Sequence, residues 1–151
     1  MEDRYLFKAK TTPKEKGEFN NVWVIGNLIV SNGKYYIHPI NNAVSVENEI
    51  GRIIVMHEVI PDTICQCTGL TDKNDKLIWE NDIVKFDVYC YEKLVSSTIS
   101  QIKWCNDLCA LSLVVNNRGT RGTLGHLMDL NKEVEVIGNI FDNPELLESE
   151  E

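Results

Sequence analysis

The dipeptide Asn32-Gly33 constrains the fold of this chain more than any other feature. It stands between two apolar runs, VWVIGNLIV over residues 22–30 and YYIHP over residues 35–39. Asn-Gly between strand-forming runs is the strongest short-range hairpin signal, because both residues tolerate the positive φ that a two-residue loop requires. The sequence therefore predicts two antiparallel strands joined at this point.

Similar runs of branched and aromatic residues, separated by turn residues, continue along the chain. Ile83–Tyr91 and Val95–Cys105 predict a second antiparallel pair, whereas helix is expected only near residues 123–130 and in a brief C-terminal segment that Asn143-Pro144 would begin. We therefore predict a mainly β protein of small curled sheets with short helices. The 151 residues fit a single domain, and two lobes with a boundary near residues 40–51 are the alternative.

The charge and the cysteines indicate the class of protein. A formal charge of −8 disfavours a general phosphate-binding surface, since nonspecific nucleic-acid affinity comes from clustered Lys and Arg. No apolar run approaches the about 18 residues that a membrane-spanning helix needs. The charged start MEDRYLFKAK lacks the apolar core of a secretion signal, and five cysteines are an odd number. We expect a cytoplasmic protein with reduced thiols and no membrane partner.

The cysteines leave two interpretations open, a zinc site or small buried thiols. Cys65 and Cys67 are separated by one residue, whereas paired zinc ligands usually have two to four residues between them. A cysteine hydrolase would need one of the thiols to meet one of three scattered histidines, and the sequence does not show such a pair. Buried core thiols are therefore the favoured interpretation.

Four acids in the stretch 72–82 invite a calcium interpretation, namely Asp72, Asp75, Glu80 and Asp82. Lys76 occupies the fifth position counted from Asp72, where a calcium loop needs an oxygen ligand. Side-chain oxygens that bind backbone N–H groups in turns are the simpler interpretation. We therefore predict no metal, no cofactor and no catalytic residue.

One stretch combines basic and aromatic residues, and it is the candidate contact patch. It consists of Lys103, Trp104, Arg118, Arg121 and His126. The patch could contact nucleic acid, or it could be an ordinary exposed loop, and the second interpretation is favoured against the acidic background. The three tryptophans, Trp23, Trp79 and Trp104, all lie in or beside predicted strands, and we expect them to anchor the core.

The block DTICQCTGLTDKNDKLIWENDIVKF, over residues 62–86, resembles the YopX family of phage and prophage proteins. The family's central signature runs close to TGLKDKNGKEIYEGDIV, and here it is TGLTDKNDKLIWENDIV from Thr68 to Val84. The closing segment EVIGNIFDNPELL also matches, and FKAK and WVIGNLI fit the family's opening more loosely. Twelve residues match the signature: Thr68, Gly69, Leu70, Asp72, Lys73, Asn74, Lys76, Ile78, Glu80, Asp82, Ile83 and Val84.

The resemblance implies a mostly β protein with an SH3-like barrel as one element, encoded by a phage or an integrated element. It implies no catalytic residue. Asp75 and Asn81 stand where the family commonly has glycine, and both residue types tolerate left-handed backbone geometry. Trp79 replaces the usual tyrosine or phenylalanine and keeps an aromatic anchor there.

Two functions follow as expectations. The leading one is a noncatalytic phage accessory protein that binds an unidentified host or phage protein, with homo-oligomerisation as a further expectation. The alternative is a nucleic-acid-associated module that uses an SH3-like sheet and the basic loop of residues 118–126.

Overall fold

The computed structural model describes residues 3–13, 20–40, 46–48, 51–53, 55–91, 93–115, 120–126 and 133–148. Strands account for most of them, and the mainly β fold is confirmed. The strands are β1 Phe7–Lys10, β2 Trp23–Ser31, β3 Lys34–Pro39, β4 Val46–Asn48, β5 Gly51–Ile53, β6 His57–Glu58, β7 Cys65–Thr71, β8 Leu77–Trp79, β9 Asp82–Cys90, β10 Lys93–Cys105, β11 Ala110–Val114, β12 Thr120–Thr123 and β13 Glu135–Asn139.

Helical structure in the described ranges is short. Three 3₁₀ helices cover Asp3–Tyr5, Pro61–Thr63 and Pro144–Leu147, and the last confirms the brief C-terminal helix. Residues 124–126 are helical, within the predicted range 123–130, whose remainder lies outside the described residues. No described helix is long and apolar enough to cross a membrane.

The chain divides into two compact units, residues 1–67 and 68–151, and the division falls inside β7. The boundary that the sequence suggested near residues 40–51 lies within the first unit. Part of that range is outside the described residues, and the boundary stays a prediction. The described strands form open sheets and no closed barrel, so the SH3-like barrel also stays a prediction.

The first unit is built on the predicted Asn-Gly hairpin. Asn32 and Gly33 have φ values of 52° and 74°, and Ser31 pairs with Lys34, as in a type I′ loop. The strands of this unit lie in the order β6-β3-β2-β1-β7, and their pairings are antiparallel. One face of the sheet carries a core cluster of Ala9, Ile37 and Val59, joined by neighbours that include Val24 and Leu28.

The second unit contains the five-stranded sheet in the order β12-β11-β10-β9-β13. The predicted pairing of β9 with β10 is confirmed, with a bulge between Leu94 and Ser96. Each fully buried aliphatic side chain contributes about 1.5–3 kcal/mol through removal from water. The core residues are Ile78, Val84, Phe86, Ile102, Leu113, Leu124, Val134 and Val136.

Asp72 joins a local turn to a distant strand. Its side chain is buried, and Oδ1 accepts the backbone N–H groups of Asn74 and Lys76 at 2.8 and 3.0 Å. Oδ2 accepts the N–H of Val136 in β13, 64 residues away, at 2.9 Å. Burial acts to raise the pKa of this carboxyl, but the three N–H donors and the charge of Lys76 outweigh burial and hold the pKa below its ordinary value.

A second turn of the signature block ties β9 to its neighbours on both sides. The backbone N–H of Asn81 donates to the carbonyl of Ile102 at 2.7 Å, and the Asn81 carbonyl accepts the N–H of Ile140 at 3.1 Å. Asp82 Oδ2 accepts the N–H of Trp79 at 2.8 Å and is buried. The turn-forming role predicted for these acids is therefore confirmed for Asp72 and Asp82.

The two positions at which the chain departs from the family's glycines keep glycine-like geometry. Asp75 has a φ of 60° and Asn81 a φ of 66°, both in the left-handed region. Short polar side chains can bond locally and adopt this conformation with less strain than other residues. Asn81 also accepts a hydrogen bond from Gln101 Nε2 at 3.0 Å, which fixes its side chain. The prediction that both turns persist is confirmed.

Replacing Asp72 with Asn should lower the free energy of unfolding by about 2–3 kcal/mol at neutral pH. Both oxygens of Asp72 accept backbone N–H groups, whereas an Asn side chain has only one oxygen and its NH₂ group cannot accept a hydrogen bond. The folded pKa of Asp72 lies below its unfolded value near 3.8, so its stabilisation is present above that value and disappears as pH falls through the folded pKa. Urea unfolding at neutral pH and at about pH 3 measures both effects, and the gap between wild type and D72N should shrink in acid.

Asp75→Asn is the matched control, because Asp75 lies exposed in the same turn and Asn keeps its tolerance of positive φ. This control should stay within about 0.5 kcal/mol of wild type. An equal loss in both variants would show that Asp72 has no special role in joining the turn to β13.

Ser100→Ala should raise the free energy of unfolding by about 1 kcal/mol, because the Ser100 hydroxyl is fully buried and has no hydrogen-bond partner among the residues that the structure describes. Ser112→Ala is the matched control, since Ser112 is equally buried but its Oγ donates to the Ala110 carbonyl at 3.3 Å. Thermal unfolding of both variants measures the difference. Destabilisation by S100A as large as that by S112A would contradict this prediction.

Candidate binding surfaces

The five residues of the predicted contact patch are only partly brought together. Lys103 and Trp104 lie near the end of β10, and β11 separates them from β12, with Lys103 opposite Ser112 and Ser112 opposite Thr123. His126 is exposed three residues after Thr123. Arg121 lies in β12, but its side chain is outside what the structure describes, and Arg118 lies outside the described residues altogether. A contact function for this patch stays a prediction.

The three tryptophans do not share one environment. Trp79 is 5% exposed and belongs to the buried hydrophobic residues, as predicted. Trp104 is 49% exposed, and its Nε1 donates to Asn106 Oδ1 at 3.0 Å. Trp23 is half-buried on the sheet face opposite the core cluster of the first unit. The expectation of core anchors is therefore right for Trp79 and wrong for Trp104, because alternation along a strand places every second residue on the other face.

Two acids and two thiols of the signature block, Asp72, Asp82, Cys65 and Cys67, are buried inside the fold. Cys65 and Cys67 are buried in β7, and the Cys65 thiol donates to the Thr63 carbonyl at 3.3 Å. Cys105 is half-buried and Cys109 exposed. Among the described residues, no three His, Cys, Asp or Glu side chains are placed to hold a metal ion.

The outer face of the first sheet is a surface that sequence reasoning missed. We define it by Lys8, Lys10, Trp23, Ile25, Asn27, Ile29, Tyr36 and His38. Alternation fixes this set, since Ala9, Val24, Leu28 and Ile37 contact the core on the other side. Register places Lys8 beside Ile25, Lys10 beside Trp23, Asn27 beside His38 and Ile29 beside Tyr36.

Two lysine side chains contact the ring of Trp23 on this outer face. The ammonium groups of Lys8 and Lys10 lie 5.2 and 5.4 Å from the centroid of its ring, within the about 6 Å over which a cation and an aromatic face attract. At the other end of the face, Lys34 Nζ pairs with Glu58 Oε1 at 3.0 Å. That contact raises the pKa of Lys34, chiefly through its hydrogen bond to Glu58.

The outer face escaped sequence reasoning because its residues come from three strands. A usable signal was nevertheless present in the predicted hairpin. Folding the two strands about Asn32-Gly33 places Tyr36 beside Ile29 and His38 beside Asn27 without any further knowledge of the structure. The lysines of β1 could not be added in this way, because nothing local sets the pairing of β1 with β2.

A second surface is a two-stranded extension of the second sheet. β13 pairs with β9 only as far as Lys85, and β11 pairs with β10 only from Gln101. Beyond those points β9 and β10 continue together, and no other described strand pairs with them. We call residues 86–90 and 93–98, with the turn residue Tyr91, the ribbon.

The ribbon exposes large apolar side chains. Tyr89 and Leu94 lie opposite each other in the register, and each has more than half of its surface exposed. Tyr91 in the turn is 95% exposed and Val95 at the bulge is 62% exposed. Clusters of exposed apolar side chains on soluble proteins mark interaction sites more often than isolated ones do.

Charge is distributed unequally between the two units. Residues 1–67 carry seven Lys and Arg against eight Asp and Glu, which gives −1, and residues 68–151 carry eight against fifteen, which gives −7. The outer face thus lies in a unit that is almost neutral, whereas the ribbon lies in the unit that holds nearly all of the net negative charge.

Comparison with known proteins supports the resemblance noted in the sequence. No curated protein matches the chain. The family model described as YopX protein matches residues 18–148, which include most of each unit, the ribbon, the signature block and most of the outer face. The chain therefore belongs to the YopX family.

Proposed function

We propose that this chain is a noncatalytic accessory protein of a phage or prophage, that it acts in the host cytoplasm, and that it binds another protein through the ribbon. The observation that carries the proposal is the combination of strand edges with which no other described strand pairs and exposed Tyr89, Tyr91, Leu94 and Val95. The sequence predicts a protein partner, and the ribbon is the surface that we propose for it.

Strand addition suits the ribbon. An extended peptide that pairs with an exposed strand edge gains main-chain hydrogen bonds and places alternate side chains against the neighbouring surface. An isolated two-stranded hairpin is marginally stable in water, so a third strand adds stability to the ribbon as well as affinity. Tyrosines near the centre of an interface contribute strongly to binding energy.

A neutral or basic extended segment of a different protein fits the ribbon better than a second copy of this chain. The unit that carries the ribbon has a net charge of −7, and two such units would bring like charges together. A basic segment would instead be attracted to it, which increases the association rate and favours the correct partner.

The acids of the signature block support the noncatalytic part of the proposal. Asp72 and Asp82 are buried, and each accepts backbone N–H groups. A carboxylate that holds a turn in this way is not presented to a substrate. The alternative function at the basic loop depends on Arg118 and Arg121, whose side chains lie outside the described structure, and no observation favours it over the ribbon.

Leu94→Ser combined with Tyr91→Ser should weaken partner binding strongly with little loss of stability, because both side chains are largely exposed. The measurement is quantitative capture from host lysate, followed by titration calorimetry with the purified partner. Removal of the two apolar contacts should weaken binding by at least about tenfold, as expected when central interface residues are truncated.

Val30→Ser is the matched control, since Val30 is exposed to the same degree as Leu94 but lies in β2 of the other unit. It should leave capture unchanged. Light scattering of the full chain tests the alternative that a second copy of this chain binds the ribbon. A dimer that the ribbon variants dissociate would replace the partner with a second copy, and capture that no ribbon variant alters would refute the proposal.

A further inference from the structure

We propose that Tyr91, at the tip of the ribbon, is the anchor residue of the interface, and that its ring inserts into an apolar pocket on the protein that the ribbon binds. This inference rests on the proposed function and deepens it, because it assigns recognition to one side chain and states what the partner must present. Main-chain pairing along the ribbon edges adds affinity for any extended segment, whereas Tyr91 selects the partner.

The backbone of Tyr91 adopts a conformation that its residue type disfavours. Its φ is 47°, in the left-handed region, where the Cβ of an L-residue lies too close to the following carbonyl oxygen. Asn and Asp are better tolerated there, since their short polar side chains can bond locally. A bulky side chain at such a φ is an outlier. Four other described positions with positive φ hold Asn or Asp, namely Asn21, Asn32, Asp75 and Asn81.

The same chain contains the favoured solution to an equivalent turn. Two residues, Asn32 and Gly33, connect the paired Ser31 and Lys34, and Asn32 has a φ of 52°. Two residues also stand between Cys90 and Lys93, which pair across the ribbon, and Tyr91 is the first of them. The first residue of a two-residue hairpin loop needs a positive φ, which Asn and Gly supply with the least strain. At the tip of the ribbon this position is occupied by tyrosine instead.

Packing does not compensate for the strain at Tyr91. Its side chain is 95% exposed, so the ring removes almost no apolar area from water in the free chain. No hydrogen bond or ring contact joins it to another residue in the part of the chain that the structure describes. Cys109, the other bulky exception with positive φ, differs in that its thiol donates to the Asn106 carbonyl at 3.3 Å. Strained positions that contribute nothing to folding concentrate at functional sites, which points to a role for Tyr91 in binding.

The properties of the tip define the pocket that fits it. A tyrosine has only two side-chain torsions, so it is ordered on binding at low entropic cost. A buried tyrosine ring contributes a large apolar area, and its hydroxyl usually finds a hydrogen-bond partner. The pocket should therefore have apolar walls and a polar group at its base. Exposed Leu94 and Val95 next to the tip would form the surrounding contacts that exclude water.

Replacing Tyr91 with Asn gives the tip the residue that the other hairpin uses, so it should stabilise the free ribbon while it weakens binding. Hydrogen exchange of the backbone amides in residues 86–90 and 93–98 should slow about fivefold, because strain is released. Titration calorimetry of the full chain uses the protein that the immobilised wild-type chain captures from host lysate. Its affinity for Tyr91→Asn should be at least about tenfold weaker. Tyr91→Phe should lose only about threefold, because the ring stays and one hydrogen bond is removed.

Asn32→Tyr is the reciprocal control, because it makes the opposite change at the equivalent position of the hairpin in the first unit. Exchange of the amides in β2 and β3 should become about fivefold faster, and affinity for the captured protein should stay unchanged. Opposite effects on exchange in the two hairpins show that the strain belongs to the position, and a loss of affinity at Tyr91 alone shows that binding belongs to the side chain.

Three results would overturn the inference. Slower exchange of Tyr91→Asn with wild-type affinity would place recognition elsewhere on the ribbon. Unchanged or faster exchange would show that the tyrosine carries no strain or supports the turn. A wild-type dimer in light scattering that Tyr91→Asn dissociates would make a second copy of this chain the partner. Failure of the proposed function gives a different pattern, since capture would then be altered by neither Leu94→Ser nor Tyr91→Asn, whereas failure of this inference alone leaves Leu94→Ser deficient in binding.

Discussion

The buried carboxylate of Asp72 is the interaction on which the second unit depends. Its two oxygens accept three backbone N–H groups, two from the following turn and one from β13, which is 64 residues later in the chain. Lys73 strengthens the same junction, since its backbone N–H donates to the Val134 carbonyl at 2.9 Å and its Nζ lies 2.7 Å from Glu135 Oε2. A buried anion is tolerable only with such donors, because an unpaired one would cost far more than the turn gains.

The two units present different surfaces on similar scaffolds. In the first, one sheet face carries lysines around an aromatic ring, and the unit is almost neutral. In the second, an acidic unit extends a two-stranded ribbon with exposed tyrosines and leucine. The two units therefore differ in net charge, −1 against −7, as well as in the side chains that they expose.

The parts of the fold that could be predicted from the sequence are those that depend on local signals. The Asn-Gly hairpin, the β9–β10 pair and the final short helix each follow from residues close in sequence, and the structure confirms them. The turn role of Asp72 was also predictable, but its bond to Val136 was not, since no local pattern reports a partner so far away. The tryptophans show the same limit, because strand alternation gives two faces and only packing selects which face is covered.

The sequence by itself determined the mainly β composition, the positions of the turns, the family and the total charge. These properties depend on residue type and on neighbours within a few positions. Only the tertiary structure decided that Lys8 and Lys10 meet Trp23, and that β9 and β10 extend beyond their neighbours as a ribbon. The physical reason is that strand register is a nonlocal property: it depends on which apolar faces can be buried together, and a shift by one residue would exchange every core residue with a surface one.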